Sequence, residues 1–201
     1  MSELKWQVNS QGAVPGNFSN QDGGGFGFWN ELTVPIDQGS ATTQRIGNRI
    51  QYKNFKLNLY ISSRAGSLVD YFHLRIIVFM PRGIIDWSNV GTIWTSLFDG
   101  VPGNWNQFLQ TVDNRNVHIL MDKVISLTDP DAYMESGIPV KKFFRKNFRL
   151  RNVVQYRTGV DTLPIEWKDR IFLFVTFPNI PGANQFLGNY YYWTRISYRD
   201  V

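Results

Sequence analysis

The side chains whose type and spacing best suit the binding of a charged partner are the cations of residues 141–156, KKFFRKNFRLRNVVQY. Charged and apolar residues alternate there, which predicts a β-strand whose successive side chains point to opposite faces of a sheet. One face carries the cations Lys141, Arg145, Arg149 and Arg151. The other face carries the apolar residues Phe144, Phe148 and Leu150. A row of cations on a rigid sheet suits a polyanion such as a phosphate backbone, and the alternative is a solvated strand face.

Aromatic side chains form the second group with a candidate role. Residues 190–193, Tyr-Tyr-Tyr-Trp, put two aromatic rings on each face of a predicted last strand. One pair can fill the core, and the other pair meets water, another subunit or stacked nucleic-acid bases. Tryptophan and tyrosine are enriched in contact hot spots. We therefore expect a subunit interface that includes Trp87, Trp94, Trp105, Tyr191 and Trp193.

Catalytic and metal chemistry find little support in the sequence. The chain has no cysteine, which excludes disulfides, thiolate metal sites and cysteine nucleophiles. His73 and His118 each lie among apolar residues of a predicted strand, so core or interface histidines are favoured over metal ligands. No glycine-rich phosphate loop and no Gly-x-Ser-x-Gly elbow occurs. We expect no catalytic residue, metal or cofactor; a β-sandwich glycoside hydrolase, which needs two carboxylates in one cleft, is a weaker alternative.

The composition indicates a single folded domain with an aromatic-rich core. The chain has 201 residues, of which 43% are hydrophobic, 15% aromatic and 18% charged. This content argues against global disorder and favours β-structure. The net charge of +5 permits binding to nucleic acid or another acidic surface. No apolar run is long enough to span a bilayer, and the N-terminal residues lack the pattern of a signal peptide.

The elements that position these residues are about eight predicted strands with little helix. They cover residues 28–35, 49–61, 71–80, 117–127, 141–150, 153–157, 170–177 and 190–199. Residues 84–110 form a long excursion between two of them, and residues 1–27 are predicted to be a flexible arm. Many short strands without a βα rhythm indicate a β-sandwich or jelly roll that spans residues 28–201.

Five segments also carry a resemblance to a known family. They are QRIGNRI (44–50), LRIIVF (74–79), VHILMDK (117–123), the basic strand pair (144–156) and TRISYRDV (194–201). In this order and spacing they resemble segments of the capsid proteins of small circular single-stranded DNA viruses, the circovirus-like and geminivirus-like group. The resemblance covers most of the chain from about Gln44.

This resemblance implies a single all-β, eight-stranded jelly roll of two packed four-stranded antiparallel sheets. It implies that many copies self-assemble into a small icosahedral shell around circular single-stranded DNA, in virions that form in the host nucleus. The residues expected to make sequence-independent phosphate contacts are Arg45, Arg49, Lys53, Lys141, Arg145, Arg149 and Arg151. No residue indicates the host receptor, and no membrane insertion is expected.

The chain departs from that family at its beginning. Such capsid proteins usually start with a long arm rich in Arg and Lys, whereas residues 1–27 contain Lys5 as their one cation. Two explanations stay open: the arm is missing from this sequence, or the folded domain alone contacts the DNA. A jelly-roll carbohydrate-binding module, with exposed Trp and Tyr rings stacked on sugars, is the alternative function, because this fold hosts both.

Overall fold

The computed structural model describes residues 3–10, 16–19, 26–41, 43–63, 71–83, 96–99, 110–128, 141–157, 161–176 and 186–201. Its ten strands are β1 (Lys5–Ser10), β2 (Gly16–Ser19), β3 (Phe26–Glu31), β4 (Arg49–Ser63), β5 (Tyr71–Pro81), β6 (Val117–Thr128), β7 (Lys141–Arg149), β8 (Val153–Gln155), β9 (Phe172–Thr176) and β10 (Phe186–Asp200). A short 3-10 helix, Trp167–Asp169, precedes β9. Within these stretches, no helix is long and apolar enough to cross a membrane.

The strands form two antiparallel sheets. One sheet has the order β1-β10-β4-β7, with β2 also paired to β10 and β8 also paired to β4. The other sheet has the order β3-β9-β5-β6. Because β1 and β2 pair with successive parts of β10, they act as one interrupted strand. The same holds for β7 and β8 on β4. The result is two four-stranded layers in the strand order of a jelly roll, which confirms the predicted fold.

The beginning of the chain differs from the predicted flexible arm of residues 1–27. Lys5–Ser10 and Gly16–Ser19 are strands of the larger sheet, where they cover the free edge of β10. Their sequences, KWQVNS and GNFS, contain few apolar residues, and in the first of them Lys5 is buried whereas Trp6 is exposed. Backbone hydrogen bonds to β10 hold these strands, and such bonds leave little trace in a hydrophobic pattern. The eight predicted strands include β7 and β8 as separate strands and lack β1 and β2.

The main core lies between the two sheets. On the larger sheet it includes Phe55, Leu57 and Leu59 of β4, all essentially inaccessible to solvent. From the smaller sheet it includes Ile76 and Val78 of β5. Full burial of each such side chain stabilises the fold by about 1.5–3 kcal/mol. Because alternate residues of β4 are buried, the residues between them must point away from the core.

A second hydrophobic cluster covers the outer face of the smaller sheet. Residues of β5 and β9 that point away from the main core pack against residues of the long excursion. The cluster contains Ile77, Phe79, Phe172, Phe174, Leu97, Phe98 and Val112. The guanidinium of Arg75 bonds both carboxylate oxygens of Asp122, at 2.6 and 2.8 Å, and the carbonyl of Gln110 at 2.6 Å. The described parts of the excursion, residues 96–99 and 110, are thereby fixed to one face of the sandwich.

Candidate nucleic-acid interface

The outer face of the larger sheet carries both groups of residues singled out in the sequence. We call it the basic-aromatic face. Its members are Trp6, Lys56, Asn58, Tyr60, Lys141, Phe143, Arg145, Asn147, Arg149, Tyr191, Trp193 and Arg195. They come from β1, β4, β7 and β10, and they alternate along β4 and β10 with buried core residues. Strand pairing, rather than proximity in sequence, gathers them.

The strand register arranges these side chains in rows across the sheet. In the central row, Asn58 of β4 lies opposite Arg145 on one side and Trp193 on the other. Directly opposed side chains of paired strands have Cβ atoms about 5 Å apart. Arg145 and Trp193 are therefore second neighbours, separated by one small polar residue.

The rows on either side follow the same pattern. Tyr60 lies opposite Phe143 and Tyr191, which makes an aromatic row. Lys56 lies opposite Asn147 and Arg195, which makes a polar row. The face therefore has an aromatic row and a cation-containing row on opposite sides of the central row.

Rings and cations of this face lie within range of one another. The Tyr60 and Tyr191 ring centres are 5.9 Å apart. The Lys56 Nζ lies 5.8 Å from the centre of the Trp193 ring. Two further guanidinium–ring pairs, Arg145–Phe143 at 5.7 Å and Arg195–Trp6 at 5.8 Å, have similar geometry. These contacts hold cations beside aromatic surfaces without neutralising their charge.

Charge is concentrated on the larger sheet. Its six strands carry eleven Lys or Arg residues and one acidic residue, Asp200, which is paired with Lys5. The four strands of the other sheet carry two cations and two carboxylates. In the described part of the chain, none of the face's cations forms an ion pair. Their positive charge is thus available to an anionic partner.

Most of the predicted phosphate-binding residues lie on or beside this face. Lys141, Arg145 and Arg149 are exposed members of it. Arg151 is exposed in the bend between β7 and β8, and Arg49 is exposed at the start of β4.

Lys53 has a more restricted position than these exposed cations. It is the extra residue of a β-bulge between β4 and β10, where Ser197 pairs with Asn54 and Tyr198 with Tyr52. Its ammonium group donates to the side chain of Gln51. A phosphate contact by Lys53 would therefore compete with this local bond.

The prediction is wrong for Arg45, which is fully buried. Its guanidinium donates to four backbone carbonyls, those of Ile36, Gly47, Arg157 and Asp161. It also lies 4.6 Å from the centre of the Tyr156 ring. Because its donors are used inside the protein, Arg45 joins two loops and cannot reach a polyanion on the surface.

The predicted subunit-interface residues divide into two groups. Trp87, Trp94 and Trp105 lie outside the described residues. Tyr191 and Trp193 lie in the middle of the basic-aromatic face, and Tyr191 is 38% exposed. The structure therefore places these two rings among the cations rather than on a separate surface.

Sequence reasoning missed several members of the face. Lys56 and Tyr60 share one side of β4, and Arg195 shares a side of β10 with Trp193. Alternation along the two strands was the signal that could have found them. Trp6 was missed because its strand was predicted to be an arm.

A cavity of about 460 Å³ lies elsewhere, at the end of β5. Its lining includes Arg82, His118, Asn152 and the buried carboxyl of Asp169. Burial raises the pKa of Asp169 to about 6, and the nearby Lys168 opposes the shift. Among the described residues, no group of three or more His, Cys, Asp or Glu could hold a metal ion.

Comparison with known proteins gives no family for this chain. No protein-family model and no curated protein matches it. Among solved structures it is similar to VP1 of Trichodysplasia spinulosa-associated polyomavirus, in complex with sialylated precision glycooligomers. The identity is 10% and the TM-score 0.26, over 100% of this chain and 95% of that chain. Such similarity establishes no shared function, and the jelly-roll assignment rests on the strand order.

Proposed function

We propose that this chain is a viral capsid subunit. Many copies assemble into a small icosahedral shell around a circular single-stranded DNA genome, in virions that form in the host nucleus. The protein works through its surfaces and not through catalysis. The observation that carries the proposal is the basic-aromatic face, whose cations have no anionic partner among the described residues.

The difference between the two outer faces supports this function. On the outer face of the smaller sheet, the protein's own Leu97 and Phe98 of the excursion, and Val112 after it, cover residues of β5 and β9. The basic-aromatic face has exposed rings instead, with Trp6 50% and Phe143 58% exposed. Large exposed rings on a face of one charge sign are typical of a surface that binds a partner. In a shell, this face would line the interior and contact the genome.

The contacts with DNA would be mainly electrostatic. Each phosphate neutralised by a cation releases a condensed counterion, so affinity falls as salt rises and depends little on base sequence. Arg145, Arg149 and Lys141 on the edge strand β7, together with Lys56 and Arg195 at the centre, would supply these contacts. Trp87, Trp94 and Trp105, which lie outside the described residues, would supply contacts between subunits.

A carbohydrate-binding module is the second candidate, and the exposed rings of Trp6, Phe143 and Tyr191 favour it. Rings on the face of a sheet can stack on sugars as well as on bases. The excess of unpaired cations favours a polyanion over a neutral sugar. Retention on a neutral polysaccharide column, unaffected by salt, would support this alternative.

The deciding experiment is the particle size of the purified protein. Light scattering and negative-stain microscopy at low and high salt measure assembly, and the ratio of absorbance at 260 and 280 nm measures bound nucleic acid. Uniform shells that contain nucleic acid are expected. A monomer under all conditions, with no nucleic acid, would contradict the capsid assignment.

A further inference from the structure

The basic-aromatic face contains more aromatic surface than phosphate binding requires. Cations alone attract duplex and single-stranded nucleic acid alike. Here five rings, those of Trp6, Tyr60, Phe143, Tyr191 and Trp193, lie among the cations on one face. Rings gain contact with a base only when that base is unpaired and turned outward, because the faces of paired bases are covered by their neighbours in the stack. The rings therefore add selectivity that the cations cannot provide.

The spacing of these rings suits successive bases. Tyr191 and Trp193 are two residues apart on β10, and a strand rises about 3.4 Å per residue, so their attachment points are about 7 Å apart. Tyr60 lies beside Tyr191, with ring centres 5.9 Å apart. Lys56 and Arg195 lie in the row beyond Trp193, within reach of the phosphate next to a base stacked on that ring.

An unpartnered polar atom lies at the centre of the same face. The Oδ1 of Asn58 is buried and has no hydrogen-bond partner among the described residues. Asn58 lies between Arg145 and Trp193 in the central row. An acceptor held away from water is unfavourable until a donor reaches it. The Watson–Crick edge of an unpaired base offers such a donor: an exocyclic amino group in adenine, cytosine and guanine, and the N3–H in thymine and uracil.

We propose that the basic-aromatic face binds nucleic acid as a single strand, with unpaired bases stacked on Tyr191, Trp193 and Tyr60. Phosphates lie beside these rings, on Lys56, Arg195 and Arg145. This inference rests on the proposed genome contact of the same face and goes beyond it, because it assigns the selectivity for unpaired bases to named rings. DNA and RNA share this chemistry, and the test below separates them.

The test compares oligonucleotides that differ only in their bases. Fluorescence anisotropy would measure binding of the full chain to labelled single strands of roughly 16 nucleotides, the upper site size for a comparable single-strand binding surface. The probes are oligo(dT), oligo(U), a duplex of equal length, and an abasic strand with the same number of phosphates. Oligo(dT) should bind at least tenfold more tightly than the abasic strand and the duplex. The ratio for oligo(dT) and oligo(U) shows which polymer is preferred.

Variants then connect the selectivity to the rings. Tyr191→Ala combined with Trp193→Ala should weaken oligo(dT) binding at least tenfold and leave binding to the abasic strand unchanged. Tyr191→Phe combined with Trp193→Phe should restore most of the affinity, since phenylalanine also stacks. Val124→Ala, at a side chain 50% exposed on the other sheet, is the matched control and should change nothing. Circular dichroism verifies that each variant is folded.

The outcomes separate this inference from the proposed function. Equal affinity for all four probes would overturn stacking and leave the phosphate contacts standing. Absence of binding to every probe at low salt would overturn both stacking and the genome contact. A loss for Ala variants that is the same on the abasic strand would also overturn stacking, because it would indicate a general disturbance of the face.

Discussion

The guanidinium of Arg45 lies over the ring of Tyr156, 4.6 Å from its centre, and both residues are buried. The Tyr156 hydroxyl in turn lies 3.1 Å from the hydroxyl of Tyr52 on β4. Burial raises the pKa of both tyrosines, so their hydroxyls are neutral throughout the physiological range. Arg45 is therefore part of the buried structure of the sandwich. Its position in a basic segment of the sequence gives no sign of this burial.

Replacement of Arg45 should reduce stability and not DNA binding. Arg45→Ala leaves buried carbonyls without donors and should cost about 3 kcal/mol of unfolding free energy. Urea unfolding measures this cost. Arg49→Ala, which removes an exposed cation nearby, is the control and should change stability by less than about 0.5 kcal/mol. An Arg45→Ala protein as stable as the wild type would contradict the structural role.

Charge reversal at Arg145 and Arg149 should weaken nucleic-acid binding and spare the fold. Both residues are exposed on the edge strand β7. Loss of two phosphate contacts should make the slope of log affinity against log salt shallower by about 1.4, at about 0.7 per contact for single strands. The matched control is the double variant Arg82→Glu and Lys123→Glu, which changes the net charge equally away from the face. Equal slopes for the two double variants would rule out the site.

The N-terminal strand should be required for stability. Lys5 is buried, with its ammonium 2.8 Å from a carboxylate oxygen of Asp200 and 2.8 Å from the carbonyl of Gln44. Lys5→Ala should cost about 2 kcal/mol, since it leaves a largely buried carboxylate unpaired. Asp200→Asn in the same background should add little, because the two changes remove one interaction. A neutral Lys5→Ala would instead fit a flexible arm.

Asp169 should make the protein less stable as the pH rises. Burial raises its pKa from 3.8 to about 6, so the folded state holds its proton more tightly than the unfolded state does. Folding is not penalised below about pH 4, and the penalty grows as the pH rises and is complete above about pH 6.

Substitution of Asp169 tests this pH dependence. Asp169→Asn should be more stable than the wild type at neutral pH by about 1–3 kcal/mol, with little difference near pH 4. Urea unfolding at both pH values measures the gain. Asp37→Asn, at an exposed carboxyl, is the control and should give no such gain. A gain of equal size at both pH values would exclude titration of Asp169 as its cause.

The fold was predictable where a strand has one buried side. In β4, Phe55, Leu57 and Leu59 alternate with polar residues, and this period of two reveals both the strand and its outer face. β5 was predictable for another reason. Its run of apolar residues has a buried neighbour on each side, the main core and the second cluster. In both strands, the residue types therefore indicate which side chains are buried.

The unpredicted parts depend on partners that are distant in sequence. β1 is defined by pairing with β10, and Lys5 is buried because it meets Asp200 at the far end of the chain. Arg45 is buried because Arg157 and Asp161 present carbonyls to it. A cation in a basic segment is normally exposed, so only the tertiary structure reveals this exception.

The pairing of Lys5 with Tyr198 also brings the two ends of the sandwich domain together. The first strand starts beside the point where the last strand ends, and neighbouring strands are about 4.8 Å apart. The start of β1 and the end of β10 therefore lie side by side. A short linker from residue 201 to residue 3 would leave every strand pair intact, and the chain could be opened at a loop elsewhere. Circular permutants should thus be tolerated, and peptides attached at residue 3 or at residue 201 would emerge at the same end of the sandwich.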